Sequence, residues 1–176
     1  MGMRLFIAVD FKELREFFEN LQKQIPNEIA KFKLTNSYHL TLKFFGEVED
    51  NKVDLIKENL KKIKIGLSSV TLDKIGFFPS EDYINVVWVG FRDNKGIINL
   101  QQQVDSSLKE SFKKDNGFYP HITLARVKFV KDKEKFVETL KNIKVEEKTF
   151  EIKNIKLIKS ALKPGGPVYE DLGVFS

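Results

Sequence analysis

The sequence predicts a mixed helix-and-strand fold: two copies of one β-α-β-α-β unit, forming two lobes that face each other across a pseudo-two-fold cleft. Three observations predict it. The 176-residue chain holds only two histidines, and each opens the same phrase, His39-Leu40-Thr41-Leu42 and His121-Ile122-Thr123-Leu124. The phrases lie close to half the chain apart. Each is preceded by an apolar strand and a helical stripe, and followed by another helix and strand. The chain is 41% hydrophobic with 16 Phe, enough for a sizeable core in one bilobal domain spanning 1–176.

The elements follow in order. Arg4 to Val9 is an apolar run that reads as a buried strand. Asp10, with Glu13 three residues on, fits a helix-capping box. Leu14, Phe17, Phe18, Leu21 and Ile25 then recur at helical spacing, and Pro26 stops the helix. A loop leads to the first motif strand, 38–45. Asn51 to Lys64 reads as a helix with Val53, Ile56, Leu60 and Ile63 inward, and Ser69 to Phe78 as a strand. The second copy begins with the strand Ile84 to Val89 and a turn at Gly90 to Lys95. Its helix carries Ile97, Leu100, Val104 and Leu108 on one stripe. A polar loop with Asn116-Gly117 leads to the second motif strand, 119–127. Asp132 to Lys144 is a helix with Phe136, Val137, Leu140 and Ile143 inward, and Thr149 to Lys159 a strand.

Composition narrows the chemistry. With no Cys, disulfides, thiolate metal sites and cysteine nucleophiles are excluded together. The net charge of +5, carried almost wholly by Lys, favours polyanions such as RNA, but Lys- and Glu-rich surfaces also arise without nucleic-acid roles. No stretch has the apolar length of a membrane helix. Leu5 to Val9 is too short for a signal peptide, so a cytoplasmic protein is expected. Two histidines on separate strands without an acidic motif make a poor zinc set, so neither metal nor cofactor is expected.

In a strand, alternate side chains share a face. Leu40, Leu42 and Phe44 are therefore expected to point inward, and His39, Thr41 and Lys43 outward. Likewise Ile122 and Leu124 point inward, and His121 and Thr123 outward. Across a shared cleft, two imidazoles and two hydroxyls would converge. Histidine exchanges a proton near neutral pH. One can take a proton from an attacking water or hydroxyl while the other gives one to a departing oxygen. Thr41 and Thr123 can donate to non-bridging phosphate oxygens as charge builds there. That set suits metal-free phosphodiester cleavage, and the spacing leaves open which imidazole is acid and which is base. Lys43 and Arg126 are further substrate-binding candidates. Lys43 has the parity to face the cleft, whereas Arg126 needs a bulge or a strand end to join it. Phe6, Tyr38 and Tyr119 can stack on a base, although Phe6 suits the core better, as does Trp88.

At these residues the chain resembles the 2H phosphoesterases, and within them the LigT/ThpR branch of RNA 2′,3′-cyclic phosphodiesterases, also called 2′-5′ RNA ligases. The resemblance runs through Arg4-Leu5-Phe6-Ile7-Ala8, the phrase from His39 to Glu47, Gly76-Phe77-Phe78-Pro79, the phrase from His121 to Arg126, and the tail Ser160-Ala161-Leu162 to Pro167 and Tyr169. It implies an α+β, LigT-like bilobal fold with an antiparallel sheet in each lobe and helices outside. It implies hydrolysis of an RNA terminal 2′,3′-cyclic phosphate to a 2′-phosphate, and reversible ATP-independent 2′-5′ joining. It makes His39 the proton donor to the leaving oxygen and His121 the proton acceptor from water. The partners it implies are RNAs with cyclic-phosphate or 2′-5′ linked ends, tRNA fragments included; a monomer is expected, although the sequence itself is silent on oligomeric state. The alternatives are a sister enzyme acting on 2′-5′ oligonucleotides or cyclic nucleotides, or a module that binds nucleotide or RNA ends without chemistry.

Overall fold

The computed structural model describes residues 2–66 and 68–176. Its elements are β1 (Gly2–Asp10), α1 (Arg15–Gln22), β2 (Ala30–Leu34), β3 (His39–Glu49), α2 (Val53–Leu60), β4 (Ser68–Pro79), β5 (Ile84–Phe91), α3 (Lys95–Leu108), β6 (Ile122–Val130), α4 (Lys133–Asn142), β7 (Lys148–Ile152), β8 (Ile155–Lys163) and β9 (Gly166–Phe175). The strands form two antiparallel sheets, ordered β3-β1-β8-β9 and β2-β6-β5-β4-β7. Each sheet carries one His phrase. One continuous apolar cluster joins the two, from Leu5 and Ile7 to Ile122 and Leu124.

The two sequence copies are not the two lobes. The third strand of each copy crosses over: β4 pairs with β5, and β8 returns to pair with β1. The helices cross as well. α1, from the first half, packs on β6, and α3, from the second, packs on β3. Three local readings also change. The segment before the first motif contains β2, which adds an edge to the second sheet. The stretch 149–159 divides at Lys153-Asn154 into β7 and β8, which lie in different sheets. Asp10 does not open α1. Its carboxylate accepts the Lys12 N–H (2.9 Å) and the Lys156 ammonium (2.9 Å), and a 3₁₀ turn at Lys12–Leu14 intervenes.

The decisive local feature is a one-residue bulge in each motif strand, immediately after the threonine. On β3, Thr41 pairs with Ala8 and Lys43 with Ile7, leaving Leu42 over. On β6, Thr123 pairs with Trp88 and Ala125 with Val87, leaving Leu124 over. A bulge adds one residue and resets the alternation. Hence Leu42 and Lys43 are both buried, as are Leu124 and Ala125. The residues after them, Phe44 (49% exposed) and Arg126, emerge on the open face.

This corrects two expectations. Phe44 faces outward. Lys43 leaves the cleft and enters the core, where its ammonium meets Asp105 of α3 at 2.6 Å, Asp115 at 3.3 Å and the Lys113 carbonyl at 2.9 Å. Gln101 and the Asp115 N–H complete the shell around Asp105. The bulge on β6 has its own buried clamp. Gln22 of α1 donates to the carbonyls of Leu124 and Thr35, both at 2.8 Å, and accepts the Tyr38 hydroxyl. Each motif strand is thus fastened by a polar side chain from the other half of the chain.

Burial by itself would raise the Asp105 carboxyl, but hydrogen bonds from Lys43, Gln101 and the Asp115 N–H outweigh it and hold its pKa below the ordinary value. Removing one partner of a buried ion pair strands the other. Asp105→Ala is expected to lower stability by about 3 kcal/mol in urea unfolding at neutral pH. A folded pKa below the unfolded one gives stability that is present above the unfolded value and is lost as pH falls through the folded one. The deficit of the variant should therefore shrink in acid. A deficit under about 1 kcal/mol at neutral pH would contradict the clamp.

Candidate active site

His39 opens β3 beside Asp10 at the end of β1, and His121 stands just before β6. The aliphatic residues Leu40 and Ile122, at most 1% exposed, peg each strand to the core and turn the rings the other way. The residue two positions before each histidine holds its Nδ1. For His121 this is the Tyr119 carbonyl at 2.8 Å, and for His39 the Ser37 hydroxyl at 3.1 Å. A carbonyl only accepts, so Nδ1 of His121 carries the proton and the neutral ring keeps its lone pair on Nε2. A hydroxyl can donate, so His39 is free to hold its proton on Nε2.

Aromatic side chains fix both rings. His39 lies 5.1 Å from the Phe6 ring and 5.5 Å from Tyr169. His121 lies 4.9 Å from Phe78 and 6.2 Å from Trp88. Trp88 can lie flat across β4 because Gly76 has no Cβ; one placed there would sit 2.2 Å from the indole.

A cleft of about 320 Å³ brings together His39, Thr41, His121, Thr123 and Arg126. Residues 33–37 form one wall and the tip of the β8–β9 hairpin another. Lys33 of β2 donates to the Gly165 carbonyl at 3.0 Å, tying the two sheets together at the rim. Five of the six residues picked out from sequence therefore share one cavity, and Lys43 does not. Among the possible stacking residues, Tyr119 is 44% exposed, whereas Tyr38 is buried with its hydroxyl on Gln22. Phe6 is buried against His39, and Trp88 is buried as expected. Sequence reasoning missed Ser37, Lys33 and Tyr169. Ser37 had a signal, since it occupies the same place before His39 that Tyr119 does before His121. Lys33 had one too, since Ala30-Lys31-Phe32-Lys33-Leu34 alternates apolar and polar side chains as a strand does.

Burial pushes the His39 pKa down to about 4. The Asp10 carboxylate pulls it up, while Arg126 and His121 push it further down. Burial likewise lowers His121, opposed by the hydrogen bond to Tyr119 and aided by Arg126. In the free protein both rings are neutral at pH 7, beside a guanidinium. Such a cleft suits an anion, and an anion drawn in raises both histidines towards protonation. Among the described residues, no group of three or more His, Cys, Asp or Glu side chains is arranged to hold a metal ion. Among the same residues, no helix is long and apolar enough to cross a membrane.

Comparison with known proteins places relatives around this arrangement. The LigT like phosphoesterase family matches residues 7–88 and 90–169, each stretch holding one His phrase. The chain is 37% identical to an RNA 2′,3′-cyclic phosphodiesterase of Methanocaldococcus jannaschii, covering 96% of this chain and 97% of that one. It is 31% identical to the protein of the same description from Methanothermobacter thermautotrophicus, covering 99% of both. Its fold superposes on Escherichia coli LigT complexed with 3′-AMP with a TM-score of 0.75 and 26% identity, covering 98% and 96% of the two chains.

Titration of the two imidazoles by NMR is expected to leave His39 neutral in the free protein until pH nears 4. Arg126→Gln removes a cation that lowers both histidines, so both should titrate higher in the variant. A His39 that protonates at its ordinary 6.5 in the free wild type would show that the ring is not desolvated.

Proposed function

Because the chain belongs to the LigT like phosphoesterase family, we propose that it opens RNA terminal 2′,3′-cyclic phosphates to 2′-phosphomonoesters with a His/His acid-base pair, residues 1–176 acting as one bilobal catalytic domain. One observation carries the reading. The opposed sheets present two imidazoles with different Nδ1 partners to one cleft, flanked by two threonine hydroxyls.

The Nε2 lone pair of His121 takes a proton from water as the water oxygen bonds to phosphorus. The bond from phosphorus to O3′ breaks, and O3′ takes the Nε2 proton of His39, which enters the step as an imidazolium loaded by the bound anion. His121 ends protonated and His39 neutral, and exchange with solvent resets the pair. Thr41 and Thr123 donate to the non-bridging oxygens, and Arg126 balances their charge. The low pKa of His39 favours this direction. A weakly basic imidazole is a strong acid once the substrate's negative charge has helped to load its proton. A ribose 5′-hydroxyl in place of water would give a 2′-5′ bond with no ATP, by the same transfers.

A cyclic-phosphate-ended oligoribonucleotide tests the reading. The product should be the 2′-phosphate, and turnover should persist in EDTA. His39→Ala and His121→Ala should each lower kcat by roughly 10²–10⁴ while remaining folded. The acid limb and the base limb of kcat/KM both belong to lowered histidines, so its optimum should lie below 6.5. In kcat it should move upward, because bound phosphate raises both groups. A 3′-phosphate product, or dependence on added divalent metal, would overturn the mechanism.

A further inference from the structure

We propose that the open face of the second sheet, beyond Arg126, is a track for the RNA chain upstream of the cyclic phosphate, with Phe129 as a base-stacking platform and Lys31 as a phosphate contact. The inference rests on the RNA-end chemistry proposed above and adds the polynucleotide to it.

Sheet register fixes this face. Arg126 pairs with Lys33 and Phe129 with Lys31 on the edge strand β2. Ala30 and Phe32 of β2 point into the core, as do Val127 and Val130 of β6. Lys31, Lys33, Arg126 and Phe129 therefore share the opposite face, the one that bears His121 and Thr123. All four are exposed. Phe129, at 58% exposed, is a large apolar ring standing among cations. A lone exposed phenylalanine needs no explanation, but one in register with a lysine, in line with a phosphate-handling cleft, meets the requirements of single-strand binding. Bases stack on aromatic rings without regard to sequence, while cations follow the backbone. From His121 to Phe129 the strand offers room for a few nucleotides.

The pseudo-two-fold partner of this row shows why the chain would leave by the second sheet. On β3 the matching residues are His39, Thr41, Phe44 and Glu47, which share a face because Phe44 pairs with Phe6 and Glu47 with Arg4. That row ends in a carboxylate, and β3 is itself the edge of its sheet. The second sheet has Phe129 where the first has Glu47, and only the second gains an added edge strand with two lysines. Charge complementarity selects a polyanion there, and the 5′ side of an RNA whose 3′ end sits in the cleft is the polyanion at hand.

The test compares 2′-AMP with a tetraribonucleotide ending in a 2′-phosphate, binding each to the whole protein by equilibrium titration. The tetramer should bind about tenfold more tightly than 2′-AMP at low salt. Phe129→Ala should abolish most of that gain without changing 2′-AMP affinity or turnover of a nucleoside 2′,3′-cyclic phosphate. Lys31→Gln should lower the slope of log affinity against log salt by about 0.7, one phosphate's share. A wild type indifferent to length, or a length gain that survives Phe129→Ala, would overturn the track. So would a Phe129-dependent self-association with RNA affinity unchanged, which would make this face a contact between copies. Length-dependent binding lost in Phe129→Ala, but with no turnover in wild type, would sink the catalytic reading and leave the track standing.

Discussion

The site depends on the extra residue that follows the threonine in each motif strand. Strict alternation would place His39, Thr41 and Lys43 on one face, and His121, Thr123 and Ala125 on the other sheet's equivalent. The bulges at Leu42 and Leu124 break that alternation just after the threonine. Two consecutive side chains then enter the core, and the next one returns to the open face. This is how Arg126 joins the cleft and how Lys43 is lost to it. A bulge leaves a backbone group outside the sheet ladder, and a buried carbonyl without a partner is costly. The Leu124 carbonyl is satisfied by the Gln22 amide and the Thr35 N–H. At Leu42 the same offset delivers a cation into the core, and Asp105 neutralises it.

The supports come from the opposite half of the chain, and this links the fold to the chemistry. Gln22 lies on the first helix and holds the second motif, and Asp105 lies on the third helix and holds the first. With β4 and β8 also exchanged, each sheet is completed by strands of the other copy. A cleft between two independent lobes would open and close freely. Here one interlocked core lies under both motif strands, and the Lys33–Gly165 hydrogen bond ties the sheets at the rim. The acid–base transfer proposed above would need both rings on one phosphorus, and such a frame suits it.

Within this symmetric frame the two histidines differ in their surroundings: in the partner of Nδ1, in the aromatic rings against them, and in the Asp10 carboxylate near His39 alone. A backbone carbonyl on Nδ1 commits His121 to one tautomer, while a serine hydroxyl leaves His39 free to take the other. Burial lowers both, and lowers His39 to about 4. The difference between the two rings therefore arises outside the repeated phrase, in part from the residue two places before it. The same breaking of symmetry recurs further along the strands, where β2 exists beside β6 and has no counterpart beside β3.

Much of this was legible in the residues. The paired His phrases, the apolar pegs Leu40 and Ile122, and the helical stripes from Leu14 and Ile97 reflect local periodicity, which each segment carries in its own sequence. They determined a duplicated β-α-β-α-β chain and a two-histidine, two-threonine cleft. The tertiary structure decided what depends on a neighbour: which sheet β2, β4 and β8 join, and that Lys43 is a core residue while Arg126 is not. Register is set by pairing between strands far apart in the chain. An extra residue such as Leu42 looks like any other leucine until its partner strand skips it.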